Sequence, residues 1–99
     1  MTRDDLVVWL DSRRPVAPDI LRERLRAVAN DSDLPDPQQL ARLGLDVLAQ
    51  VAARPAAGRE LALDLLAADA LVTYAFEAQA EADVCGLGRL AEYVARECA

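Results

Sequence analysis

The stretch from Gly58 to Asp83 places the strongest constraint on how this chain can fold. After Gly58 it contains neither Gly nor Pro, and it is rich in Ala and Leu, which are strong helix formers. At helical spacing Leu65 and Val72 share one side, while Leu66 and Leu71 fall on others. A helix that is apolar nearly all round is normally buried. The pattern therefore predicts one long central helix, over roughly residues 58–84, that is enclosed on all sides by its own chain together with a second copy.

The prolines mark where the other helices begin and end. Proline disrupts a helix interior but is tolerated in the first turn, and these five prolines lie between the apolar segments: Pro15, Pro18, Pro35, Pro37 and Pro55. They divide the chain into helices at about 2–12, 18–29, 37–54, 58–83 and 87–98. The sequence therefore predicts an all-α fold, a compact bundle of about five helices around the long central one.

Two local sequence signals concern the third helix: one indicates where it begins and the other where it packs closely. Asp36, Pro37 and Gln39 form a capping-box pattern, with a cap carboxylate, Pro at the first helical position and Gln three residues after the cap. Gly44 lies inside the same helix and costs about 1 kcal/mol relative to Ala. A close crossing with another helix at Gly44 is the simplest compensation.

Length and charge limit the function. The chain has 99 residues, which fits a single helical domain over 1–99, and 54% of them are apolar. The net charge is −6, and all eleven basic residues are arginine. Nucleic-acid-binding proteins usually present a basic face, so we expect no nucleic acid partner. The arginines of residues 13–26 form one basic cluster, which we interpret as a solvated helix face.

The cysteine content and the hydropathy indicate the cellular compartment in which we expect the protein. Cys85 and Cys98 form no CxxC motif, and the sequence has no His to complete a zinc site. A disulfide between them stays open, but no secretory signal is apparent, so we expect free thiols in the cytoplasm. Asp64 and Asp69 interrupt the most apolar segment, so we expect no membrane span.

Asp69 is the leading candidate for a buried polar or pocket residue. On a helix it shares a face with large apolar residues, and Thr73 follows it one turn later. A buried carboxylate needs a partner, because an unpaired buried charge costs several kcal/mol. Asp69 is therefore a rim residue reaching water, half of a structural pair, or part of a functional pocket with Thr73 and Tyr74.

Catalysis has little support in the residue types. Without His the usual proton shuttle at neutral pH is missing. The sequence contains no Glu-x-x-His pair for a di-iron centre and no phosphate-binding glycine loop. We expect no catalytic residue, no metal and no cofactor.

Residues 67–77 read AADALVTYAFE. This segment resembles a core helix of the polyprenyl diphosphate synthases, which often reads Gly-Asp-Ala-Leu-Leu-Thr-x-Ala-Phe-Glu. Those enzymes also use Asp-rich motifs that hold magnesium and diphosphate, whereas Asp4 and Asp5 are followed by no third Asp at the required spacing. The resemblance implies similar helix packing, and no activity is carried over from it.

Three function classes follow. The leading hypothesis is a non-enzymatic helical interaction or structural module that binds itself or another protein through apolar helix surface, and we expect self-association as a homodimer. The alternative is a small-molecule-binding protein or enzyme component with a pocket near Asp69, Thr73 and Tyr74. A helix-turn-helix DNA-binding regulator over residues 18–54 is disfavoured by the charge and by the long segment between its two helices.

Overall fold

The computed structural model describes residues 8–14, 16–28, 36–54 and 58–98. These residues are almost entirely helical and contain no strand, which confirms the predicted all-α class. Contacts within the chain form two compact units, residues 1–35 and 36–99. The single domain predicted for residues 1–99 stays a prediction.

The described residues of the first unit, 8–14 and 16–28, form two helices. Residues 8–11 are helical (α1), and α2 spans Asp19–Val28. The Arg26 guanidinium donates through Nη2 to both carboxylate oxygens of Asp11, at 3.1 and 2.9 Å, which ties α2 to α1. The Arg13 guanidinium carbon lies 4.0 Å from the centroid of the Trp9 ring, a cation–π contact. At least two arginines of the predicted basic cluster are therefore engaged within the unit.

The second unit contains three α-helices and one short turn of 3-10 helix. Helix α3 spans Pro37–Ala53, α4 spans Arg59–Ala82, the 3-10 turn spans Val84–Gly86 and α5 spans Leu87–Cys98. The most extensive contact in this unit lies between α3 and α4, and α5 contacts both. Helix α4 is thus the long central helix that the sequence predicts.

The predicted start of α3 is confirmed in detail. Asp36 is the N-cap, and its carboxylate accepts a hydrogen bond from the backbone N–H of Gln39 at 2.8 Å. The Gln39 side chain in turn accepts from the backbone N–H of Asp36 at 3.2 Å. Pro37 occupies the first turn, where its missing N–H costs nothing.

Small side chains form the contact between α3 and α4. A Cβ built on Gly44 would lie 3.0 Å from the backbone oxygen of Ala68 and 3.0 Å from the Cβ of Leu71. Ala67, Ala68 and Leu71 are buried on α4 at this crossing. The close crossing predicted from Gly44 is therefore present. The buried apolar residues of this unit are Leu40, Ala41, Leu45, Val47, Ala67, Ala68, Leu71, Ala75 and Leu90.

Within a single chain, α4 is not enclosed on all sides. Leu65 is 49% exposed and Leu66 is 55% exposed, although both were expected inside. The close approach at Gly44 places Ala68 and Leu71 against α3, and Leu65 and Leu66 lie on other sides of α4. One flank of α4 therefore remains accessible.

Among the described residues, no helix is both long and apolar enough to cross a bilayer. The predicted helix-turn-helix alternative depends on the segment between α2 and α3, and residues 29–35 lie outside the described part of the chain.

Candidate interaction groove

A groove of about 290 Å³ lies between α3, α4 and α5. Apolar residues dominate its lining: Leu45, Leu48, Leu65, Val72 and Val94. Gly44 and Ala68 also line it, at the crossing of α3 and α4. Leu48 is 37% exposed and Leu65 is 49% exposed. The groove is therefore an apolar surface that remains open to solvent.

Gly44 explains why a groove exists here. Its missing side chain lets α3 approach Ala68 and Leu71 of α4 closely. Leu48 and Leu65 lie along the two helices beside this crossing, and α5 adds Val94 to the lining. The packing that makes the helix contact thus also produces the groove.

Asp69 is the one charged residue among the described residues that line the groove. It is exposed, and the structure shows no hydrogen bond or ion pair between its carboxylate and another described residue. Of the three interpretations that the sequence left open, this position agrees with a rim residue reaching water. The groove therefore carries a negative charge on an otherwise apolar lining.

The structure does not bring the other two candidates into the groove. Thr73 is exposed and Tyr74 is half-buried, and neither lies among the groove-lining residues. On a helix they follow Asp69 by four and five residues, and Val72 occupies the lining position one turn on. Of the three predicted pocket residues Asp69, Thr73 and Tyr74, Asp69 alone lines this groove.

The buried carboxylate of this unit is Asp64, which sequence reasoning missed. Asp64 is 5% exposed, and the Arg54 guanidinium lies 2.7 Å from its Oδ2 atom. Arg54 caps the end of α3 and Asp64 lies in the second turn of α4, so the pair joins the two helices near their connection. A signal was present in the sequence: Asp64 falls on the same helical face as Ala68 and Leu71.

Arg42 links α3 to α5. Its Nη1 donates to Glu97 Oε2, and its Nε lies 3.4 Å from Asp46 Oδ1. The hydrogen bond from Arg42 to Glu97 and the negative charge of Glu97 raise the pKa of Arg42, so the guanidinium stays charged. This contact holds α5, and with it Val94, beside α3.

A second cavity, of about 340 Å³, lies at the start of α3. It combines the capping residue Asp36 with Arg89 and Leu90 of α5 and with Gln79 of α4. The Gln79 amide already donates to the backbone oxygen of Asp83 at 2.8 Å. Because Asp36 and Gln79 already serve helix ends, this cavity is a weaker candidate for a binding site.

Metal-binding groups do not cluster in the part of the chain that the structure describes. No set of three Cys, Asp or Glu side chains there is arranged to hold an ion. Cys85 and Cys98 are free and exposed, and Cys98 contributes its thiol to the groove lining. The groove offers apolar contact, one carboxylate and one thiol.

Comparison with known proteins finds no relative of this chain. No family model, no curated protein and no solved structure matches this chain. The resemblance of residues 67–77 to a synthase helix therefore remains a short local one.

Proposed function

We propose that the chain is a helical protein–protein interaction module and that its contact surface is the groove between α3, α4 and α5. The observation that carries this proposal is the open apolar lining, above all the half-exposed Leu65. Apolar surface gains free energy when it leaves water, and burying the remaining half of a leucine contributes about 1 kcal/mol. A partner that covers the groove would bury several such side chains together.

The contacts between the surrounding helices support this proposal. The crossing at Gly44 and the Arg42–Glu97 contact hold α3, α4 and α5 around the groove. A preformed surface loses little conformational freedom when a partner binds, which favours affinity. The groove would therefore be available without a large rearrangement.

Self-association, the form predicted from the sequence, has a direct test. A stable interface between copies should bury on the order of 1,000 Å² or more. We expect that Leu65→Glu would abolish any dimer, because it places a charge on the groove lining. Leu66→Glu is the matched control, since it makes the same change at the neighbouring, equally exposed position outside the groove lining.

Sedimentation velocity from micromolar to millimolar concentration measures the outcome. A dimer lost in Leu65→Glu and kept in Leu66→Glu supports self-association through the groove. A dimer that tolerates both substitutions would place the interface elsewhere. A strict monomer at every concentration would contradict self-association and leave a different protein as the partner.

Small-molecule binding is the second candidate, and the position of Asp69 favours it. A carboxylate on an apolar lining suits a ligand with an alkyl chain and a positive charge, and the groove is close to the smallest volume typical of ligand pockets. Octylammonium and octanoate make a matched pair of probes. If the groove is a ligand site, octylammonium should shift the amide NMR signals of the groove residues at lower concentration than octanoate.

The proposed module would act in the cytoplasm. The two cysteines are free thiols in the structure, which agrees with a reducing compartment. Localisation of the tagged full chain would check this part of the proposal.

A further inference from the structure

We infer that the groove receives a basic amphipathic helix of another protein, with leucine-like side chains on the apolar lining and an arginine or lysine opposite Asp69. This inference rests on the proposed function and names the chemistry of the partner. Three observations carry it: the helical surroundings of the groove, the charge of α4 and the pairing of the nearby arginines.

The helices that surround the groove favour a helical partner. The described residues contain no strand, so they offer no sheet edge to which an extended peptide could add. The groove lies between three helices and exposes side chains, since their backbone groups are used within the helices. Helix-in-groove binding, in which one apolar face lies along such a surface, is the recognition mode that fits.

The charge of α4 selects a basic partner. Of the acidic residues of α4, Asp64 is buried and paired with Arg54, whereas Asp69 is exposed on the groove lining. Asp69 places one of these charges on the groove lining without an ion pair to a described residue. A partner with a cation at this point gains attraction across an apolar surface, where less water screens it.

Arg42 of α3 and Arg54, which caps the end of α3, do not neutralise Asp69, because both are engaged elsewhere. Arg42 pairs with Glu97 and Asp46, and Arg54 pairs with the buried Asp64. Using either arginine for Asp69 would break a contact that holds the helices together. A partner that supplies its own cation can pair with Asp69 and leave both contacts intact.

The same charge disfavours a second copy in the groove. A two-fold symmetric contact places the same patch on both sides of the interface. If that contact were centred on the groove, the two Asp69 carboxylates and the two acidic α4 helices would come together, and like charges in an interface oppose binding. Among helical partners, a basic one avoids this repulsion.

Three synthetic peptides test the inference against the full chain. The first is an amphipathic helix with leucine on one face and lysine on the other. The second replaces lysine with glutamate, and the third replaces leucine with alanine. Fluorescence anisotropy would give the affinities, and amide NMR shifts of the labelled chain would locate the contact.

We expect the leucine–lysine peptide to bind at least about tenfold more tightly than either of the others and to shift the signals of groove residues. Asp69→Asn should weaken this binding about two- to fivefold, the range expected for one partly exposed ion pair. Glu92→Gln removes the same charge from an exposed position of α5 outside the groove lining, and it should leave the affinity unchanged.

The remaining outcomes separate this inference from the proposed function. Equal groove binding of the lysine and glutamate peptides, or a dimer that Leu65→Glu abolishes, would overturn the basic partner and retain the interaction module. Equal losses in Asp69→Asn and Glu92→Gln would show attraction by net charge alone and would also overturn it. A monomeric chain that binds none of the peptides would contradict both.

Discussion

Replacing Gly44 with alanine tests the packing on which the groove depends. Two effects oppose each other in this variant. Alanine has the higher helix propensity, which stabilises the folded state by about 1 kcal/mol. The new Cβ, however, would lie 3.0 Å from the backbone oxygen of Ala68, from the Cβ of Leu71 and from a methyl carbon of Val72.

The nature of these neighbours decides which effect is larger. The Ala68 oxygen and the Leu71 Cβ are fixed to the backbone of α4, so neither can rotate away and the helices themselves must separate. Overpacking of this kind costs about 1–3 kcal/mol. We therefore expect Gly44→Ala to lower the free energy of unfolding by up to about 2 kcal/mol after the propensity gain is subtracted.

Gly88 supplies the matched control. It also lies in a helix, but a Cβ there would meet no atom within 4 Å. Gly88→Ala should therefore show the propensity gain alone and stabilise the chain by about 0.5–1 kcal/mol. The difference between the two variants isolates the overpacking cost, about 1–3 kcal/mol.

Urea unfolding followed by circular dichroism at the helix band would measure both variants. Equal slopes of free energy against urea would show that the denatured state is unchanged and that the comparison is valid. The proposed crossing would be refuted if Gly44→Ala stabilised the chain as much as Gly88→Ala does.

Three further predictions concern polar contacts. Asp36→Ala should cost about 1 kcal/mol in urea unfolding, because the N–H groups of the first turn of α3 lose their cap; an unchanged midpoint would contradict the cap. Arg54→Ala should destabilise the chain more than Asp64→Asn does, because it leaves a buried carboxylate without its cation; the reverse order would show that the pair is dispensable. Glu97→Gln should weaken the attachment of α5 equally at pH 7 and pH 9, because the raised pKa of Arg42 keeps its guanidinium charged, and its contribution intact, throughout this range. A marked difference between the two unfolding midpoints would contradict that assignment.

Helix existence and helix ends could be predicted from the sequence because local chemistry determines them. Pro37 and the Asp36–Gln39 capping box define the start of α3, and the run without Gly or Pro after Gly58 predicts α4. Cap hydrogen bonds and proline sterics act within a few residues, so they can be recognised without knowledge of the fold. The close crossing was also predictable, since a glycine inside a helix needs a compensating contact.

Which side of α4 faces inward was decided only by tertiary packing. Every side of this helix carries apolar residues, so hydrophobic periodicity could not choose among them. Asp69 shares a side with the large apolar residues Leu65 and Val72, and it was therefore the candidate for a buried carboxylate. The structure buries the side with Ala67, Ala68 and Leu71 instead.

The physical reason is that the distance between two packed helices depends on the side chains of both. Once Gly44 of α3 meets α4, small residues fill the contact and Asp64 is drawn inside to pair with Arg54. Leu65 and Asp69 are then left along the edge, where they line an open groove. The sequence by itself determined which segments are helical and that Gly44 needs a near neighbour. Only the packed helices decided which carboxylate is buried and which leucines remain available to a partner.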